Sequence, residues 1–221
     1  RPFVVLKLAQ TLDGRIATAA GESRWISGRE SLKLAHRLRS EVDAVVVGMG
    51  TVRQDNPLLT VRYVKGSSPY RIVLSRSLDF PRGCHLLNRN SDGRTILATT
   101  ESSYRRFRRM PRGKNSNLIV WQVRGEGRSR LDLPDFLARA EDFGLRSLLV
   151  EGGAALATSF LRAGLVDKLV LVTAPVILGE GVNSVGDLHV RQLQEAIRFR
   201  RFTFDCAGSD SIFIGCPKRT A

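Results

Sequence analysis

Short apolar runs alternate along the chain with segments in which apolar residues recur every three or four positions. Residues 3–11 (FVVLKLAQT) predict a strand, and residues 43–48 (DAVVVG) predict a second strand that is covered on both faces. Between them, residues 26–42 (ISGRESLKLAHRLRSEV) have helical periodicity. Ser27 precedes Glu30 by the spacing of a capping box, which predicts that Ser27 caps this helix.

The second half of the chain continues this alternation. Residues 133–144 and 154–164 predict helices, each closed by a glycine. Residues 197–208 and 210–215 alternate between apolar and polar positions and predict a terminal hairpin. Further strands are predicted at residues 70–75, 94–100, 117–123, 145–152 and 166–178, the last of them ending near Pro175.

Strands that alternate with helices are typical of an α/β fold with a mostly parallel sheet, because parallel strands need crossover connections. The terminal hairpin adds an antiparallel C-terminal edge. No internal repeat and no Pro/Gly/Ser-rich linker divides the 221 residues. We therefore expect a single domain over residues 1–221, a three-layer arrangement with at least eight strands in a mixed sheet and helices on both faces.

The composition argues against several classes of protein. A chain that is 43% hydrophobic and 25% charged is typical of ordered globular proteins. No apolar run reaches the ~18 to 20 residues of a transmembrane helix, and the N-terminus lacks a signal-peptide pattern. Three cysteines far apart favour a reducing, cytoplasmic compartment. The chain does not begin with Met, as expected of a processed or excised segment.

The formal net charge of +14 attracts anions, either polyanions or small phosphorylated ligands. Residues 104–114 (YRRFRRMPRGK) place six basic residues beside Tyr104 and Phe107. A nucleic-acid-binding protein would use these for phosphate contacts and base stacking. The interpretation that we favour is a solvated helix end and loop, so nucleic acid is not an expected partner.

Residues 148–164 (LLVEGGAALATSFLRAG) place a carboxylate, two glycines and a small-residue helix directly after a buried strand. A helix N-terminus binds anions through its free N–H groups, and glycines let a phosphate approach the backbone. In open α/β sheets, ligands bind at the carboxyl ends of the strands. The alternatives are that the glycines serve strand-to-helix packing and that Glu151 caps the helix or pairs with an arginine.

Two other segments carry candidate ligand contacts. Residues 11–28 form a polar, glycine-containing connection in which the Trp25 ring either lies against a flat ligand or folds onto the core. Residues 48–62 contain a second strand–glycine–helix junction, with Thr51 at the start of a short helix. Arg62, beyond that helix, either binds a phosphate or is a surface residue.

Several chemistries lack their signatures in this sequence. There is no HExxH, CxxC, GxSxG or GxxxxGK[ST] pattern, and the three histidines are isolated, so no metal is expected. Two anion-binding strand ends without a nucleophile suit a nicotinamide cofactor, which carries the reacting hydride while the protein binds and orients.

The chain contains, in order, five segments that resemble the reductase domain of the bifunctional riboflavin-biosynthesis deaminase/reductase family: LKLAQTLDGRIA, GESRWISG, GTVRQDNPLLTVR, RIVLS and LVEGGAALATSFL. The resemblance covers nearly the whole chain. It implies a dihydrofolate-reductase-like fold. It also implies NADPH-dependent reduction of the phosphoribosylamino group of 5-amino-6-(5-phosphoribosylamino)uracil to a ribitylamino group, with hydride accepted by the imine-like carbon of the opened ribose.

The resemblance also assigns residues to the two ligands. It implies substrate contacts, with Arg39 and Arg62 on the phosphate, for Ser23, Arg39, Leu59, Arg62 and Glu151. It implies NADPH contacts, with Arg76 near the 2′-phosphate, for Ala9, Trp25, Thr51, Asp55, Arg76, Gly153, Ala154, Ala155, Leu156, Ala157, Thr158 and Ser159. Lys7 and Asp13 are further candidates to line the catalytic site, but no catalytic acid or base is assigned.

The sequence departs from the family in one respect that bears on its partners. The zinc signature H-x-E…P-C-x-x-C of the deaminase half is absent, so deamination is expected in a separate deaminase or in a part of the protein that has been removed. The substrate is then either the deaminated uracil or the diaminopyrimidinone before deamination. Another pterin-like or nucleotide-like substrate is a further alternative. A homodimer is expected because the family is usually dimeric.

Overall fold

Parallel strands joined by helices dominate the structure, a computed structural model that describes residues 1–109, 117–127 and 130–218. The predicted strands are all present, within a few residues of the expected bounds. In chain order the strands are β1 (Phe3–Thr11), β2 (Arg15–Thr18), β3 (Ala44–Gly48), β4 (Tyr70–Leu74), β5 (Thr95–Thr99), β6 (Ile119–Gln122), β7 (Gly125–Glu126), β8 (Arg130–Leu131), β9 (Ser147–Val150), β10 (Lys168–Ala174), β11 (Gly181–Asn183), β12 (Phe199–Ala207) and β13 (Asp210–Pro217).

The predicted helices are also present, with shorter bounds than expected. A short 3₁₀ turn, Leu193–Glu195, precedes the terminal hairpin. In chain order the helices are α1 (Arg29–Ser40), α2 (Met49–Asp55), α3 (His85–Asn88), α4 (Glu101–Arg108), α5 (Leu133–Asp142) and α6 (Ala154–Arg162).

Nine strands form one mixed sheet in the order β12-β13-β10-β1-β9-β3-β4-β5-β6. The strands from β10 to β6 are parallel, whereas β13 and β12 add an antiparallel edge. The predicted mostly parallel sheet with an antiparallel C-terminal edge is therefore confirmed. The strand β9 inserts between β1 and β3, which brings the segment after β9 into the centre of the sheet.

Strand alternation divides the core between the two faces of the sheet. On β3, Ala44 and Val46 belong to one apolar cluster, and Val45 and Val47 belong to the other. Helices α5 and α6 cover the first face through side chains such as Phe136. Helices α1, α2, α3 and α4 contribute to the second cluster. The three-layer arrangement is confirmed.

The predicted cap of the first helix is wrong. Helix α1 begins at Arg29, its N-cap is Gly28, and Glu30 pairs with Lys33 at 2.8 Å instead of forming a capping box. The buried carboxylate of Asp210 takes the capping role, since its Oδ2 accepts the Gly28 N–H at 2.7 Å and the Ser31 hydroxyl at 2.5 Å. A side chain from the far end of the chain thus accepts the hydrogen bonds at this helix start, where the sequence predicted Ser27 as the acceptor.

The basic segment starts in helix α4, as the solvated-helix interpretation predicts, and its residues 110–116 lie outside the described ranges. Arg105 pairs with Glu101 within the helix, and Arg106 donates to the Ser77 carbonyl. The Arg108 guanidinium lies 5.9 Å from the centre of the Tyr104 ring. None of the helices in the described ranges is long and apolar enough to cross a membrane.

Candidate active site

A cavity of about 550 Å³ opens at the carboxyl ends of β1, β3 and β9. This is the edge at which open α/β sheets bind ligands. Its walls contain residues from most of the segments that were predicted to contact a ligand. The lining residues are Lys7, Leu8, Ala9, Ile16, Ala17, Gly21, Ser23, Gly48, Gly50, Thr51, Gln54, Asp55, Glu151, Gly152, Gly153, Ala154, Ala155, Leu156 and Val182.

Glu151, which lines the cavity, forms an ion pair with Arg39, which is not among the lining residues. The Arg39 Nε donates to Glu151 Oε1 at 2.8 Å, and Nη2 donates to Oε2 at 2.6 Å. Each side chain is 11% exposed. Glu151 thus lines the cavity and pairs with an arginine, as the structural alternative expected, and its contact with the substrate stays a prediction. The guanidinium fork of Arg39 is committed to this carboxylate, with Nη1 donating to the Thr60 carbonyl at 3.3 Å.

Charges around Glu151 keep this carboxylate ionised. Burial acts to raise the pKa of Glu151, but the charge and hydrogen bonds of Arg39, with the charges of Lys7 and His36, hold that pKa below its ordinary value of 4.5. Burial also lowers the Arg39 pKa, but the Glu151 charge and hydrogen bond outweigh this effect and raise it. The pair is therefore charged at neutral pH.

Lys7 lies beside Glu151 because of the strand register. Leu6 on β1 pairs with Val150 on β9. The residues that follow these two, Lys7 and Glu151, are therefore neighbours. Burial lowers the pKa of Lys7, and the nearby Arg39 charge lowers it further, while Glu151 and Asp210 oppose the shift. The result is an ammonium group that gives up its proton more readily than an ordinary lysine.

Two helix N-termini meet on the other side of the cavity. Helix α2 starts directly after β3, and helix α6 starts after the three residues that follow β9. The Gly153 N–H donates to the Thr51 Oγ1 at 3.1 Å, and this hydrogen bond links the two helix ends. A Cβ on Gly50 would meet no protein atom within 4 Å, so packing does not require glycine there. A Cβ on Gly152 would approach Leu156 to 2.7 Å, so this glycine does serve strand-to-helix packing.

The outer wall of the cavity was not predicted from the sequence. The short strands β2 and β11 pair with each other and supply Ile16 and Val182. Gln54 Nε2 donates to the Gly21 carbonyl at 2.6 Å and so attaches the connection after β2 to α2. Both strands are too short to show a clear alternation of apolar and polar residues. Only Gln54, in the same segment as the predicted ligand contact Thr51, gave a signal for this wall in the sequence.

Several residues assigned to the cofactor do not line the cavity. Trp25 is 77% exposed, so it neither packs on the core nor lies in the cavity wall. Ala157 is fully buried inside α6. The hydroxyls of Thr158 and Ser159 donate to the carbonyls of Ala154 and Ala155 one turn earlier. Their assignment to the cofactor stays a prediction.

Arg76 lies at a second cavity, of about 670 Å³, beyond the ends of β4, β5 and β6. Arg124 and Arg139 line the same cavity. Arg76 Nη1 donates to the Arg130 carbonyl at 3.2 Å. Glu101 and Asp135 also line this cavity, and Arg124 pairs with Asp135 at 3.2 Å, so acidic side chains offset part of the arginine charge.

Of the remaining substrate candidates, Ser23 is among the residues that line the cavity, and Leu59 and Arg62 are not. Ser23 lines the cavity, and its hydroxyl lies 3.4 Å from Asp55 Oδ1. Leu59 is 2% exposed and has a positive φ of 54°, so it is part of the core. Arg62 is exposed, and its Nη1 donates to the Thr60 hydroxyl at 2.8 Å.

Asp13 fixes the backbone next to the cavity without lining it. Its carboxylate accepts the Thr11 hydroxyl at 2.6 Å, the Leu178 N–H at 3.2 Å and the Gly179 N–H at 2.7 Å. The hydrogen bond from Thr11, with those from the two backbone N–H groups, lowers the pKa of Asp13 to about 2. Asp13 therefore holds the segment after β10 against the turn after β1.

Groups of three or more His, Cys, Asp or Glu side chains placed to hold a metal ion are absent from the described ranges. The three cysteines are free.

Comparison with known proteins links this geometry to a family. The model of the RibD C-terminal domain matches residues 2–209. The riboflavin biosynthesis protein RibD of Aquifex aeolicus is 38% identical over 215 residues, which are 97% of this chain and 57% of that protein. The chain therefore spans little more than half of that relative.

A shorter relative matches over most of its own length. The 2,5-diamino-6-ribosylamino-4(3H)-pyrimidinone 5′-phosphate reductase of Methanothermobacter thermautotrophicus is 37% identical over 200 residues, 85% of this chain and 88% of that protein.

Solved structures support the fold. RibD of Acinetobacter baumannii has a TM-score of 0.81 at 23% identity, covering 98% of this chain and 58% of that chain. The dihydrofolate reductase of Enterococcus faecalis, solved with NADP(H), has a TM-score of 0.55 at 11% identity, covering 98% and 97%. The predicted dihydrofolate-reductase-like fold is confirmed.

Proposed function

The chain belongs to the RibD C-terminal domain family, and from this we propose that it is an NADPH-dependent reductase of a phosphoribosylamino-pyrimidine in riboflavin biosynthesis. The preferred substrate is 5-amino-6-(5-phosphoribosylamino)uracil, whose ribosyl group becomes ribitylamino. The observation that carries the proposal is one cavity in which two helix N-termini face the buried Arg39–Glu151 pair and Lys7.

The cofactor side of the cavity fits a dinucleotide phosphate. The N-terminal N–H groups of α2 and α6 are positive ends of helix dipoles, and Gly50 and Gly153 leave room for phosphate oxygens. The Thr51 hydroxyl keeps the two helix ends together. Ala9 and Asp55, which also line the cavity, are assigned to the same ligand. The nicotinamide supplies the hydride when the cofactor is bound.

The NADPH preference is assigned to the second cavity. Arg76, which the resemblance places near the 2′-phosphate, lies there with Arg124 and Arg139. A guanidinium suits a phosphate through paired hydrogen bonds, and NADH lacks this group.

The substrate side lies around Glu151. The carboxylate stays ionised and accepts hydrogen bonds, so it is suited to hydroxyl or amino donors of the substrate. Arg62 is assigned to the 5′-phosphate because its guanidinium is exposed. Arg39 is assigned to holding Glu151, since two of its five N–H donors bind this carboxylate.

Reduction of the opened ribose adds a hydride to its imine-like carbon and needs one proton. Lys7 is the candidate donor of that proton, because it lies beside Glu151 and burial lowers its pKa. Glu151, which lies between the charges of Lys7 and Arg39, is assigned to accept hydrogen bonds from donors of the substrate. The paired strands β2 and β11 form the outer wall of the cavity on this side.

The main alternative keeps the fold and cofactor and changes the substrate to the diaminopyrimidinone before deamination. The Methanothermobacter relative, named as a reductase of such a compound, favours this alternative. Deamination is then assigned to a separate deaminase or to another part of a longer protein. We also propose that the protein is a homodimer in the cytoplasm.

Oxidation of NADPH should be followed spectroscopically with both phosphoribosylamino-pyrimidines as substrates. Turnover of either supports the reductase, and the larger kcat/KM identifies the substrate. Glu151→Gln should lose most activity with either substrate while NADPH still binds. If the folded protein binds NADPH but turns over neither compound, the substrate class is wrong. If it binds no nicotinamide cofactor, the proposed function fails.

A further inference from the structure

His36 lies in the middle of helix α1 with a fully buried side chain. Its Nδ1 accepts the backbone N–H of Arg62 at 2.9 Å. The Tyr63 ring packs against the imidazole at a centroid distance of 4.7 Å and an angle of 90°. The imidazole therefore contacts two residues in the middle of the segment between α2 and β4, residues 56–69.

Helix α1 holds this segment at two points. Three residues after His36, on the same face of the helix, Arg39 donates to the Thr60 carbonyl. The Arg62 guanidinium in turn donates to the Thr60 hydroxyl. Residues 60–62 are thus tied by their backbone to the helix that also supplies the partner of Glu151.

The other nitrogen of the ring is what makes His36 unusual. Since Nδ1 accepts a hydrogen bond, the neutral ring carries its proton on Nε2. Nε2 is buried and has no hydrogen-bond partner in the described part of the chain. A buried unsatisfied donor is destabilising, so the imidazole costs stability at Nε2 while it supplies the acceptor of the Arg62 N–H at Nδ1. The acceptor at Nδ1 is therefore what the imidazole contributes at this position.

The surroundings keep the ring neutral and so able to accept. Burial, with the charges of Arg39 and Arg62, lowers the pKa of His36 to about 4, while Glu151 opposes the shift. At neutral pH the acceptor at Nδ1 is permanently available to the Arg62 backbone.

We propose that His36 is a positioning residue that gives this site its selectivity for the phosphorylated substrate, by fixing the backbone from which Arg62 reaches the phosphate. This rests on the proposed function for the assignment of Arg62. Binding a phosphate through a preordered guanidinium avoids the entropy of ordering the segment during binding. Removing the acceptor at position 36 releases that segment and weakens phosphate binding without touching the hydride-accepting carbon.

The test compares His36→Leu, which lacks the acceptor, with His36→Asn, whose side-chain oxygen takes the place of Nδ1. Each is assayed on the phosphorylated substrate and on its dephosphorylated riboside. His36→Leu should lose about tenfold in kcat/KM on the phosphorylated substrate through KM, and little on the riboside. His36→Asn should recover most of the loss. An equal loss on both substrates, or no recovery by asparagine, overturns the proposal.

A binding measurement separates this inference from the reductase assignment. Ribose 5-phosphate is titrated into the wild type, His36→Leu, Arg62→Ala and the double variant. The two single variants should weaken binding similarly, and the double variant should add little, because both act on one phosphate contact. Additive losses, or no binding of ribose 5-phosphate by the wild type, contradict the role of His36 whether or not the protein reduces a pyrimidine.

Discussion

Arg39 and Glu151 are 112 positions apart in the sequence, yet they share two charge-assisted hydrogen bonds. Helix α1 presents the guanidinium, and the end of β9 presents the carboxylate. The pair contributes to the stability of the fold, and its carboxylate also lines the cavity.

Replacing Arg39 with methionine should reduce the free energy of unfolding by about 3 to 5 kcal/mol at neutral pH, because Glu151 then stays buried without its partner. The pKa of Glu151 is lowered in the folded state, so the pair stabilises the fold above the ordinary value of 4.5. This contribution is lost as the pH falls through the lowered pKa. Urea unfolding of the wild type and of Arg39→Met, from neutral to acidic pH, measures whether their free energies of unfolding converge as the pH falls.

The matched control for this prediction is the double variant Arg39→Met with Glu151→Leu, which should recover much of the stability and stay inactive. A stability difference between wild type and Arg39→Met that does not change with pH would contradict the role assigned to the carboxylate.

Arg62→Ala should raise KM for the phosphorylated substrate about 10- to 100-fold, since a charge-assisted phosphate contact is lost. The residue is exposed, so the free energy of unfolding should change by no more than about 0.5 kcal/mol. Steady-state kinetics and thermal melting measure the two effects. Lys65→Ala, another exposed cation on the same segment, is the control and should leave KM unchanged.

Thr51→Val should weaken NADPH binding about tenfold, because the Gly153 N–H loses its acceptor and the two helix ends are no longer tied together. Thr51→Ser retains the hydroxyl and should bind nearly as well as the wild type. Fluorescence titration with NADPH checks both variants. Equal binding by the valine and serine variants would remove Thr51 from the cofactor site.

Arg76→Ala should raise KM for NADPH about tenfold and leave KM for NADH unchanged, because only NADPH carries the 2′-phosphate. Arg82 is an exposed arginine outside the second cavity, and Arg82→Ala serves as the control. The ratio of kcat/KM for the two cofactors is the measurement. A parallel loss with both cofactors would place the effect of Arg76 elsewhere.

Asp210→Ala should lower the free energy of unfolding by about 1 to 2 kcal/mol, since the Gly28 N–H and the Ser31 hydroxyl lose a buried acceptor. Ser27→Ala should have little effect, because Ser27 does not cap the helix. Chemical denaturation compares the two variants. If Ser27→Ala is the more damaging change, the cap lies where the sequence suggested.

Local patterns were sufficient to predict the nine strands of the main sheet and the helices α1, α5 and α6. The period of apolar residues identified β3 and α6, and the glycines after each strand marked the two helix starts at the cavity. These signals act within a few residues, through side-chain spacing and backbone freedom, so they can be read along the chain. The family motifs added which ligands to expect and brought Lys7, Thr51 and Glu151 into consideration.

The order of the strands and the partners of buried charges depend on contacts between distant residues. The insertion of β9 between β1 and β3 makes Lys7 and Glu151 neighbours, and no local pattern encodes that position. A buried charge or an open helix end is satisfied by whichever polar group the fold brings near. The sequence alone determined that Glu151 needs a partner, and the tertiary structure decided that Arg39 is that partner and that Asp210 caps α1.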